Sequence, residues 1–536
     1  MESSCLPFSA IPHTTRLFLD FLHDFDKVRQ FYPRPPLGRD WLSAEAASLR
    51  YDQGRREQVT AVLDRQNRSW GASQETLDSI ARFRAGASAI VTGQQVALFG
   101  GPLFAIYKAL TAIKLANEAS RAGCESVPVF WLATEDHDLE EVNNVTLLTS
   151  EDSLVPFKTS SRGTKDAPMS AVWLGTDIER LVEDALRALG DSEVGDFLRE
   201  SYRSGETFGT AFGKLFSRLF RHSGVVLVDA SDPELHAIAE PVYRAAIMAA
   251  SDLETELLKR GKQLETAGYH AQVKVAPSST LLFGLHDGAR VPIHRAGDGF
   301  ALANQRLSSD ELLHRISAAP EQFSANVLLR PVVQDYLLPT LAYVGGPAEV
   351  AYFAQAAVAY EELLGRVTPV LPRFSATLVE PRIKRVLDRY GLRLTDTFHG
   401  VEHLRVVLAE HALPGDLNAS FDQALRSVDD SLAQLHPSLE RLDRTLLDAA
   451  ARAGSKMRYQ IERLRERAAR ALLRQSEEQA RHADALITSL YPGKELQERV
   501  IGGVSFLARY GTQLLLRLYD VAQTCCPDHQ IVYLEP

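Results

Sequence analysis

The chain has 536 residues, of which 45% are apolar and 24% are charged, so it is long enough for several hydrophobic cores and too apolar to be disordered. Its formal net charge of −10 argues against a general binder of nucleic acid or of anionic membranes. No apolar run approaches the roughly 18 residues of a membrane span, and the first residues lack the basic and apolar regions of a secretory signal. These features predict a cytoplasmic protein.

The chain contains four cysteines, Cys5, Cys124, Cys525 and Cys526. Their spacing indicates neither a disulfide framework nor a tetrahedral zinc site. We therefore expect no structural metal and no thiol chemistry by the protein itself. Cys124 follows Gly123 in what looks like a helix-to-strand turn, which favours a small buried or half-buried residue.

Three short apolar runs, residues 87–95, 127–134 and 224–230, are typical of parallel strands covered on both faces. Between the first two, Gly101-Pro102 predicts a helix that begins with proline at its first position. Strand character returns at residues 342–353 and 368–379. This order predicts a doubly wound α/β sheet.

Two inserts interrupt the predicted sheet. Residues 151–222 show a mostly helical pattern, whereas residues 265–330 carry hairpin turns at Asp287-Gly288 and around Gly297. We assign residues 1–395 to the α/β core with these inserts.

Beyond residue 395 the apolar period changes to strict spacing of three and four, which predicts an α-helical antiparallel coiled-coil domain over residues 396–491. The repeat consists of Leu425, Val428, Leu432, Leu435, Leu439, Leu442 and Leu446. Pro437 predicts that one helix ends near Leu435 and that the next begins at the proline. Residues 492–536 are predicted to return to the core and to end in a strand. A lone hairpin would leave the leucine seam partly exposed, so we predict a homodimer through the coiled coil.

The stretch "TGQQVALFGGPLF", residues 92–104, leaves a predicted strand and enters a predicted helix. Backbone N–H groups at such a helix start point into the crevice beside the sheet, although the loop matches neither a Walker loop nor a GxGxxG motif. As an alternative, the glycines simply form a tight turn and the two glutamines bond to backbone. The candidates for cofactor binding are Thr92, Gly93, Gly100, Gly101 and Pro102, and those for substrate binding are Gln94 and Gln95.

Glu135, Asp136 and His137 follow the neighbouring predicted strand, at the sheet edge where open α/β sheets bind ligands. Crowded carboxylates raise one another's pKa, which suits acid–base catalysis near neutral pH. We predict these three as catalytic residues. One alternative is a helix start with Asp138 as N-cap and Glu141 completing a capping box. Another is a metal site, for which this turn supplies only a partial ligand set.

Long segments resemble the BshC family, the cysteine ligases of bacillithiol biosynthesis. They are "VTGQQVALFGGPLFAIYKALTAIKLA", "VPVFWLATEDHDLEEVNNV", "RPVVQDYLLPTLAYVGGPAEVAYF", "PVLPRFSATLVE" and "LYPGKELQERV". The resemblance covers essentially the whole chain. It implies a Rossmann-like parallel-sheet core with connecting-peptide inserts, a coiled coil that dimerises, and addition of L-cysteine to the amine of glucosaminyl-malate.

The family's place near the class I aminoacyl-tRNA synthetases suggests ATP or ADP as cofactor, with Gly100 and Gly101 near the phosphates. Phe104 and Tyr107 stand where the synthetase signature has two histidines, which puts ordinary adenylation in doubt. For the implied reaction, the Glu135 cluster would hold and deprotonate the sugar amine.

Arg330 and Arg373 would bind the malate carboxylates, unless they form structural ion pairs. Further candidates for substrate binding are Tyr107, Asp138, Asn143, Gln334 and Asp335, and further candidates for cofactor binding are Gly345 and Gly346.

Two other functions stay open at this stage. One is a metal-dependent hydrolase or transferase built on Glu135, Asp136 and His137. The other is a non-catalytic scaffold whose coiled coil recruits a partner.

Overall fold

The computed structural model describes residues 1–411, 413–473 and 477–535. Its strands are β1 (Glu2–Leu6), β2 (Ser88–Gln94), β3 (Ser126–Leu132), β4 (Asn144–Leu148), β5 (Leu154–Lys158), β6 (Ser161–Arg162), β7 (Trp173–Leu174), β8 (Val226–Asp229), β9 (Ser279–His286), β10 (Ala289–Ala296), β11 (Gly299–Leu302), β12 (Gln305–Leu307), β13 (Phe323–Ala325), β14 (Thr340–Gly345), β15 (Val370–Pro372), β16 (Ala376–Val379) and β17 (His529–Tyr533).

Its α-helices are α1 (Arg16–His23), α2 (Leu42–Ser48), α3 (Gln53–Ser69), α4 (Gln74–Arg84), α5 (Phe104–Arg121), α6 (Leu139–Val142), α7 (Ile178–Leu189), α8 (Glu193–Ser201), α9 (Phe208–Leu219), α10 (Pro233–Met248), α11 (Ala250–Thr266), α12 (Ser309–Ala318), α13 (Arg330–Leu337), α14 (Pro347–Leu364), α15 (Pro381–Tyr390), α16 (Val401–His411), α17 (Gly415–Leu442), α18 (Thr445–Leu473), α19 (Glu477–Leu490), α20 (Gln497–Val500), α21 (Gly503–Tyr510) and α22 (Gln513–Val521). Within the described part of the chain, no helix is long and apolar enough to cross a membrane.

The chain divides into two compact units. The first comprises residues 1–377 and 498–532, and the second comprises residues 378–497 and 533–535. This division falls earlier than the predicted boundary at residue 395, because α15 packs on α19 inside the second unit. The predicted final strand is β17, which pairs with β1 in the first unit.

A parallel sheet in the order β15-β14-β2-β3-β8 forms the centre of the first unit. Every residue of β3 is buried, which agrees with the prediction of strands covered on both faces. Strand character at 342–353 is confirmed only as far as Gly345, because α14 begins at Pro347. Cys124 is buried in an apolar cluster under the sheet, as predicted.

Helix α5 begins at Phe104, two residues later than predicted. Pro102 instead forms an isolated antiparallel bridge with Gly502, and the Leu103 N–H donates to the Ile501 carbonyl. These bonds hold the chain out of helical geometry at the proline. Gly101 has a φ of +70°, a conformation that residues with a side chain rarely adopt.

The first insert contains α7, α8 and α9, as the helical pattern predicts, together with β5, which pairs with the preceding β4, and the short antiparallel pair β6-β7. The second insert forms an antiparallel sheet in the order β12-β11-β10-β9-β13. Asp287 and Gly288 both have positive φ values, 51° and 79°, as a two-residue hairpin turn requires. The predicted hairpin turns at Asp287-Gly288 and Gly297 are confirmed.

In the second unit, α17 and α18 form an antiparallel hairpin, since Arg458 pairs with Asp429 and Arg465 pairs with Asp422. The predicted break at Pro437 is wrong, because α17 continues through the proline to Leu442. The proline lies on an exposed stretch of helix, where water can satisfy the carbonyl that loses its partner. The turn follows at Asp443, so the last leucine of the predicted repeat belongs to α18.

A disulfide joins Cys5 to Cys526. The cysteine spacing did not indicate it, because the two residues are 521 positions apart and only the return of the chain's end to the first unit brings them together. Cys124 and Cys525 are free.

Candidate functional site

A cavity of about 470 Å³ opens at the carboxyl ends of β2 and β14. In the sheet, β3 and β8 extend from one side of β2, whereas β14 and β15, which come later in the chain, extend from its other side. The order of the strands therefore reverses between β2 and β14. Open α/β sheets bind ligands at such a point. We call this space the switch-point cavity, and its lining residues are Gly93, Gln94, Gln95, Phe104, Lys108, Trp131, Ala133, Glu141, Val327, Arg330, Tyr343, Gly346, Pro347, Ala348, Glu349, Tyr352, Arg373 and Arg499.

Lys108 connects the end of β2 to the first turn of α14, the helix that follows β14. Its Nζ donates to the Gly93 carbonyl at 2.7 Å and to Gln94 Oε1 at 2.9 Å, and it lies 2.5 Å from Glu349 Oε2. Burial lowers the pKa of Lys108, although the Glu349 carboxylate opposes that shift. Three acceptors around the nitrogen match the three donors of an ammonium group, so Lys108 is charged and fully bonded.

Glu349 lies in the first turn of α14 and carries the compensating charge. Its Oε1 accepts from the Tyr343 hydroxyl at 2.6 Å, and its Oε2 accepts from the Gly346 N–H at 2.8 Å. Burial favours a raised pKa for Glu349, but the Lys108 ammonium and these hydrogen bonds hold it below its ordinary value. The Lys108–Glu349 pair therefore contributes no net charge to the cavity.

Arg330, the first residue of α13, has only neutral partners. Its Nη1 donates to Gln334 Oε1 at 3.0 Å, and its Nη2 donates to the Tyr352 hydroxyl at 3.1 Å. Among the residues that the structure describes, no carboxylate lies within 4 Å of its guanidinium nitrogens. Arg330 thus supplies an uncompensated positive charge to the cavity, as a site for an anionic ligand requires.

Arg373 also borders the cavity, but its charge is already compensated. Its Nη2 donates to Glu498 Oε1 at 2.5 Å, and the same carboxylate accepts from Ser375 Oγ and from the Ala376 N–H, each at 2.9 Å. Both charged side chains are almost completely buried. Of the two alternatives for Arg373, the structure therefore shows the structural ion pair.

Glu135 lies behind the cavity rim and does not line it. Its Oε1 lies 3.5 Å from His236 Nε2, and this buried oxygen has no hydrogen-bond partner among the described residues. Burial raises the pKa of Glu135 to about 8, and the nearby Asp229 carboxylate adds to the shift while the Arg290 guanidinium opposes it. Burial also lowers the pKa of His236 to about 4, so that imidazole is neutral near pH 7.

The raised pKa of Glu135 predicts how stability depends on pH. Glu135 is neutral in the folded protein but ionised in the unfolded chain between its ordinary pKa of 4.5 and its folded pKa of about 8, so stability falls as pH rises through that window. Each unit of difference corresponds to about 1.4 kcal/mol. We expect Glu135→Gln to flatten the decline in the urea unfolding midpoint across this window.

The matched control is Asp138→Asn, which changes an exposed carboxylate in the same turn and should leave the decline unchanged. If the urea unfolding midpoints of Glu135→Gln and of the wild type declined equally with pH across the window, the raised pKa of Glu135 would be contradicted.

Asp136 and His137 also lie outside the cavity lining, although Gln95 connects them to it. The Gln95 amide donates to Asp136 Oδ2 at 2.8 Å, and Arg290 Nη1 donates to His137 Nδ1 at 3.2 Å. The three predicted catalytic residues therefore occupy one polar cluster that adjoins the cavity. No group of three or more His, Cys, Asp or Glu side chains in the described part of the chain could hold a metal ion.

The predicted capping box at this turn is not formed. Asp138 occupies the N-cap position of α6, but its side chain makes no capping hydrogen bond, and the Glu141 N–H donates to the Asp138 carbonyl instead. Helix α6 has only four residues, too few to require a capped first turn. Glu141 lines the cavity, whereas Asp138 is exposed outside it.

Several other predicted site residues lie in the core rather than in the cavity. Tyr107 is fully buried against Phe374, and the Gly100 N–H donates to the Tyr202 hydroxyl rather than pointing outward. The Gly101 N–H likewise donates to the Leu98 carbonyl. The predicted site residues that do not line the cavity are Thr92, Gly100, Gly101, Pro102, Tyr107, Glu135, Asp136, His137, Asp138, Asn143, Gln334, Asp335 and Gly345.

Gly93, Gln94, Gln95, Arg330, Gly346 and Arg373 are the predicted residues that the structure brings together in the cavity. Gly93 is required for packing as well, since a Cβ there would lie 2.9 Å from the Trp131 carbonyl oxygen.

The sequence prediction missed Lys108, Glu349, Tyr343, Tyr352 and Trp131, which all line the cavity. One signal could have indicated Lys108, because it is a charged residue on the buried face of an apolar helix. Another was Glu349, three residues after the predicted Gly346 at the start of a helix. The indole N–H of Trp131 is buried and has no acceptor among the described residues, as expected of a donor that meets a ligand.

Two family models match consecutive parts of the chain. "Bacillithiol biosynthesis BshC, N-terminal Rossmann-like domain" matches residues 1–374, and "Bacillithiol biosynthesis BshC, C-terminal coiled-coil domain" matches residues 376–534. The chain belongs to the BshC family. The match confirms the predicted family, the Rossmann-like core and the coiled-coil domain.

Relatives of similar length carry the name "Putative cysteine ligase BshC". The relative from Koribacter versatilis is 51% identical, over 99% of this chain and 100% of its own. The relative from Solibacter usitatus is 38% identical over the same shares of the two chains, and the one from Salinibacter ruber is 35% identical over 98% of this chain and 97% of its own.

Proposed function

We propose that this BshC protein is a ligase that joins the carboxyl group of L-cysteine to the amine of glucosaminyl-malate, the last step of bacillithiol biosynthesis. The observation that carries the proposal is the switch-point cavity with the uncompensated Arg330, in a chain whose relatives are named as cysteine ligases. Both proposed substrates carry carboxylates, which a half-buried guanidinium binds well. The direct test is formation of the thiol product by the purified protein.

Amide formation needs a deprotonated amine, an activated acyl group and stabilisation of the oxyanion that develops. A base works best when its pKa lies near the working pH, and burial gives Glu135 such a pKa. Glu135 adjoins the cavity through its neighbour Asp136, which Gln95 contacts. We propose that Glu135, Asp136 and His137, which lie beside the cavity, together hold the amine of the substrate and remove its proton.

For activity, we expect Glu135→Gln and His137→Ala each to lower the ligation rate by about 100-fold or more, the usual scale for general acid–base groups. Both variants should stay folded, because Arg290, which loses an acceptor in His137→Ala, keeps its hydrogen bonds to Ser324 and to the Ala325 carbonyl. Product formation and the thermal midpoint are measured on the same preparations. Variants that lose stability but keep their activity would show that these residues stabilise the fold and take no part in catalysis.

We propose ATP or ADP as the cofactor, because a free carboxylate requires activation before an amine attacks it. The predicted phosphate loop does not fit this role, since the N–H groups of Gly100 and Gly101 bond inside the protein and lie outside the cavity. We therefore derive no step through a phosphate bound at that loop. Comparing product yield with and without added ATP tests the cofactor.

We further propose that the protein acts in the cytoplasm as a homodimer formed through its coiled coil. Leu435 and Leu442 of α17 are 53% and 78% exposed, and Leu464 of α18 is 58% exposed, so the hairpin presents apolar area that a second copy could cover.

We expect a dimer by light scattering at micromolar concentration and a monomer for the double variant Leu435→Glu, Leu442→Glu. The matched control is Gln434→Glu, which adds a charge on the same helix without removing apolar surface and should stay dimeric. A monomeric wild-type protein would contradict the proposal.

A further inference from the structure

Two tyrosine hydroxyls lie beside the Arg330 guanidinium, and they differ in where their protons go. Arg330 Nη2 donates to the Tyr352 hydroxyl at 3.1 Å and reaches the Tyr343 hydroxyl at 3.4 Å. The Tyr343 hydroxyl in turn donates to the Glu349 carboxylate at 2.6 Å. Tyr352 is therefore the hydroxyl whose proton is not committed to a carboxylate of the protein.

Tyr352 and Arg330 lie on the same side of the switch-point cavity, and Tyr352 is only 8% exposed. A hydroxyl that accepts a hydrogen bond from a cation becomes a better donor. A carboxylate has two oxygens and about four acceptor sites, so it can accept from a guanidinium and from a phenol at once. The pair thus has the chemistry of a recognition element for a carboxylate.

The reaction decides which substrate provides that carboxylate. The carboxyl group of cysteine has to be activated and attacked, and a carboxylate held as an ion by two donors is a poor electrophile. We take the carboxylate bound by Arg330 and Tyr352 to belong to the amine substrate, which keeps its carboxylates through the reaction.

We infer that Tyr352 is a specificity-determining residue that, together with Arg330, binds a carboxylate of the amine substrate and selects amino sugars that carry an anionic aglycone. The inference rests on the proposed ligase function. The ligand class for this side of the cavity is an amino sugar that carries a carboxylate. Tyr352 is the neutral hydrogen-bond donor to that carboxylate.

The test compares two amine substrates, glucosaminyl-malate and methyl glucosaminide, which lacks the carboxylates. For Tyr352→Phe, we expect the KM for glucosaminyl-malate to rise by about 10-fold to 100-fold, the scale of a lost hydrogen bond to a charged group. The KM for cysteine and the rate with methyl glucosaminide should stay unchanged. Tyr519→Phe is the matched control, since its hydroxyl contacts Asn117 outside the cavity and its loss should change neither substrate's KM.

An unchanged KM for glucosaminyl-malate, or an equal loss with both amines, would overturn the inference. A binding measurement separates this failure from failure of the proposed function. L-malate alone should raise the thermal midpoint of the wild type and of Tyr519→Phe, but raise that of Tyr352→Phe much less, whether or not the protein forms product. Equal stabilisation of all three proteins by L-malate would overturn the role of Tyr352, whereas absence of product alone would overturn only the ligase.

Discussion

Arg330→Met is expected to lower kcat/KM for glucosaminyl-malate by about 100-fold or more while the protein remains folded. Two charge-assisted hydrogen bonds to a carboxylate are lost, and each is worth about 1.5–3 kcal/mol. The fold should tolerate the change because the present partners of Arg330, Gln334 and Tyr352 among them, are neutral, so no buried carboxylate is left without its cation.

Arg373→Met is the matched control for this variant, since it removes another arginine that lines the cavity. Its loss leaves the buried Glu498 carboxylate without a cation, so we expect a stability loss of about 3–5 kcal/mol. Opposite responses, an inactive but stable Arg330 variant and an unstable Arg373 variant, would separate substrate binding from architecture. An active Arg330→Met enzyme with an unchanged KM would show that its positive charge is not used.

Lys108→Met is expected to destabilise the protein by about 3–5 kcal/mol, the usual cost of breaking a buried ion pair by removing one partner. The substitution leaves Glu349 buried at 2.5 Å from the place of its former partner, and it also releases Gly93 and Gln94 at the end of β2. Urea unfolding at neutral pH measures the loss.

The double variant Lys108→Met, Glu349→Gln removes both charges and is expected to recover most of that stability. It should be inactive, because the connection between the end of β2 and the first turn of α14 is still broken. A single Lys108→Met variant as stable as the wild type would contradict the pairing, and a fully active double variant would show that the connection is not needed for catalysis.

Local patterns were sufficient to predict three strands of the parallel sheet. The continuous apolar runs around β2, β3 and β8 predict buried parallel strands, and Asp287-Gly288 predicts its hairpin, because both patterns depend on neighbouring residues alone. Pro437 shows the limit of the same reasoning. At an exposed position water can replace the hydrogen bond that proline removes, and solvent exposure at that position cannot be read from the residue itself.

The chemistry of the site depends on partners that are distant in sequence. The sequence alone does not distinguish Arg330 from Arg373. Arg373 has a structural role because it pairs with Glu498, which lies 125 positions later in the chain. Likewise the charged turn after β3 predicts a titrating cluster, but the burial that raises the pKa of Glu135 comes from elements elsewhere in the chain.

The most direct measurement supplies the purified protein with L-cysteine, glucosaminyl-malate and ATP, together and with each omitted, and follows thiol product by mass spectrometry. The account predicts the mass of cysteinyl-glucosaminyl-malate only when both substrates and ATP are present, with the product reduced by about 100-fold or more in Arg330→Met. Absence of that product from the folded wild-type protein under all these conditions, or equal yields from the wild type and Arg330→Met, would contradict it.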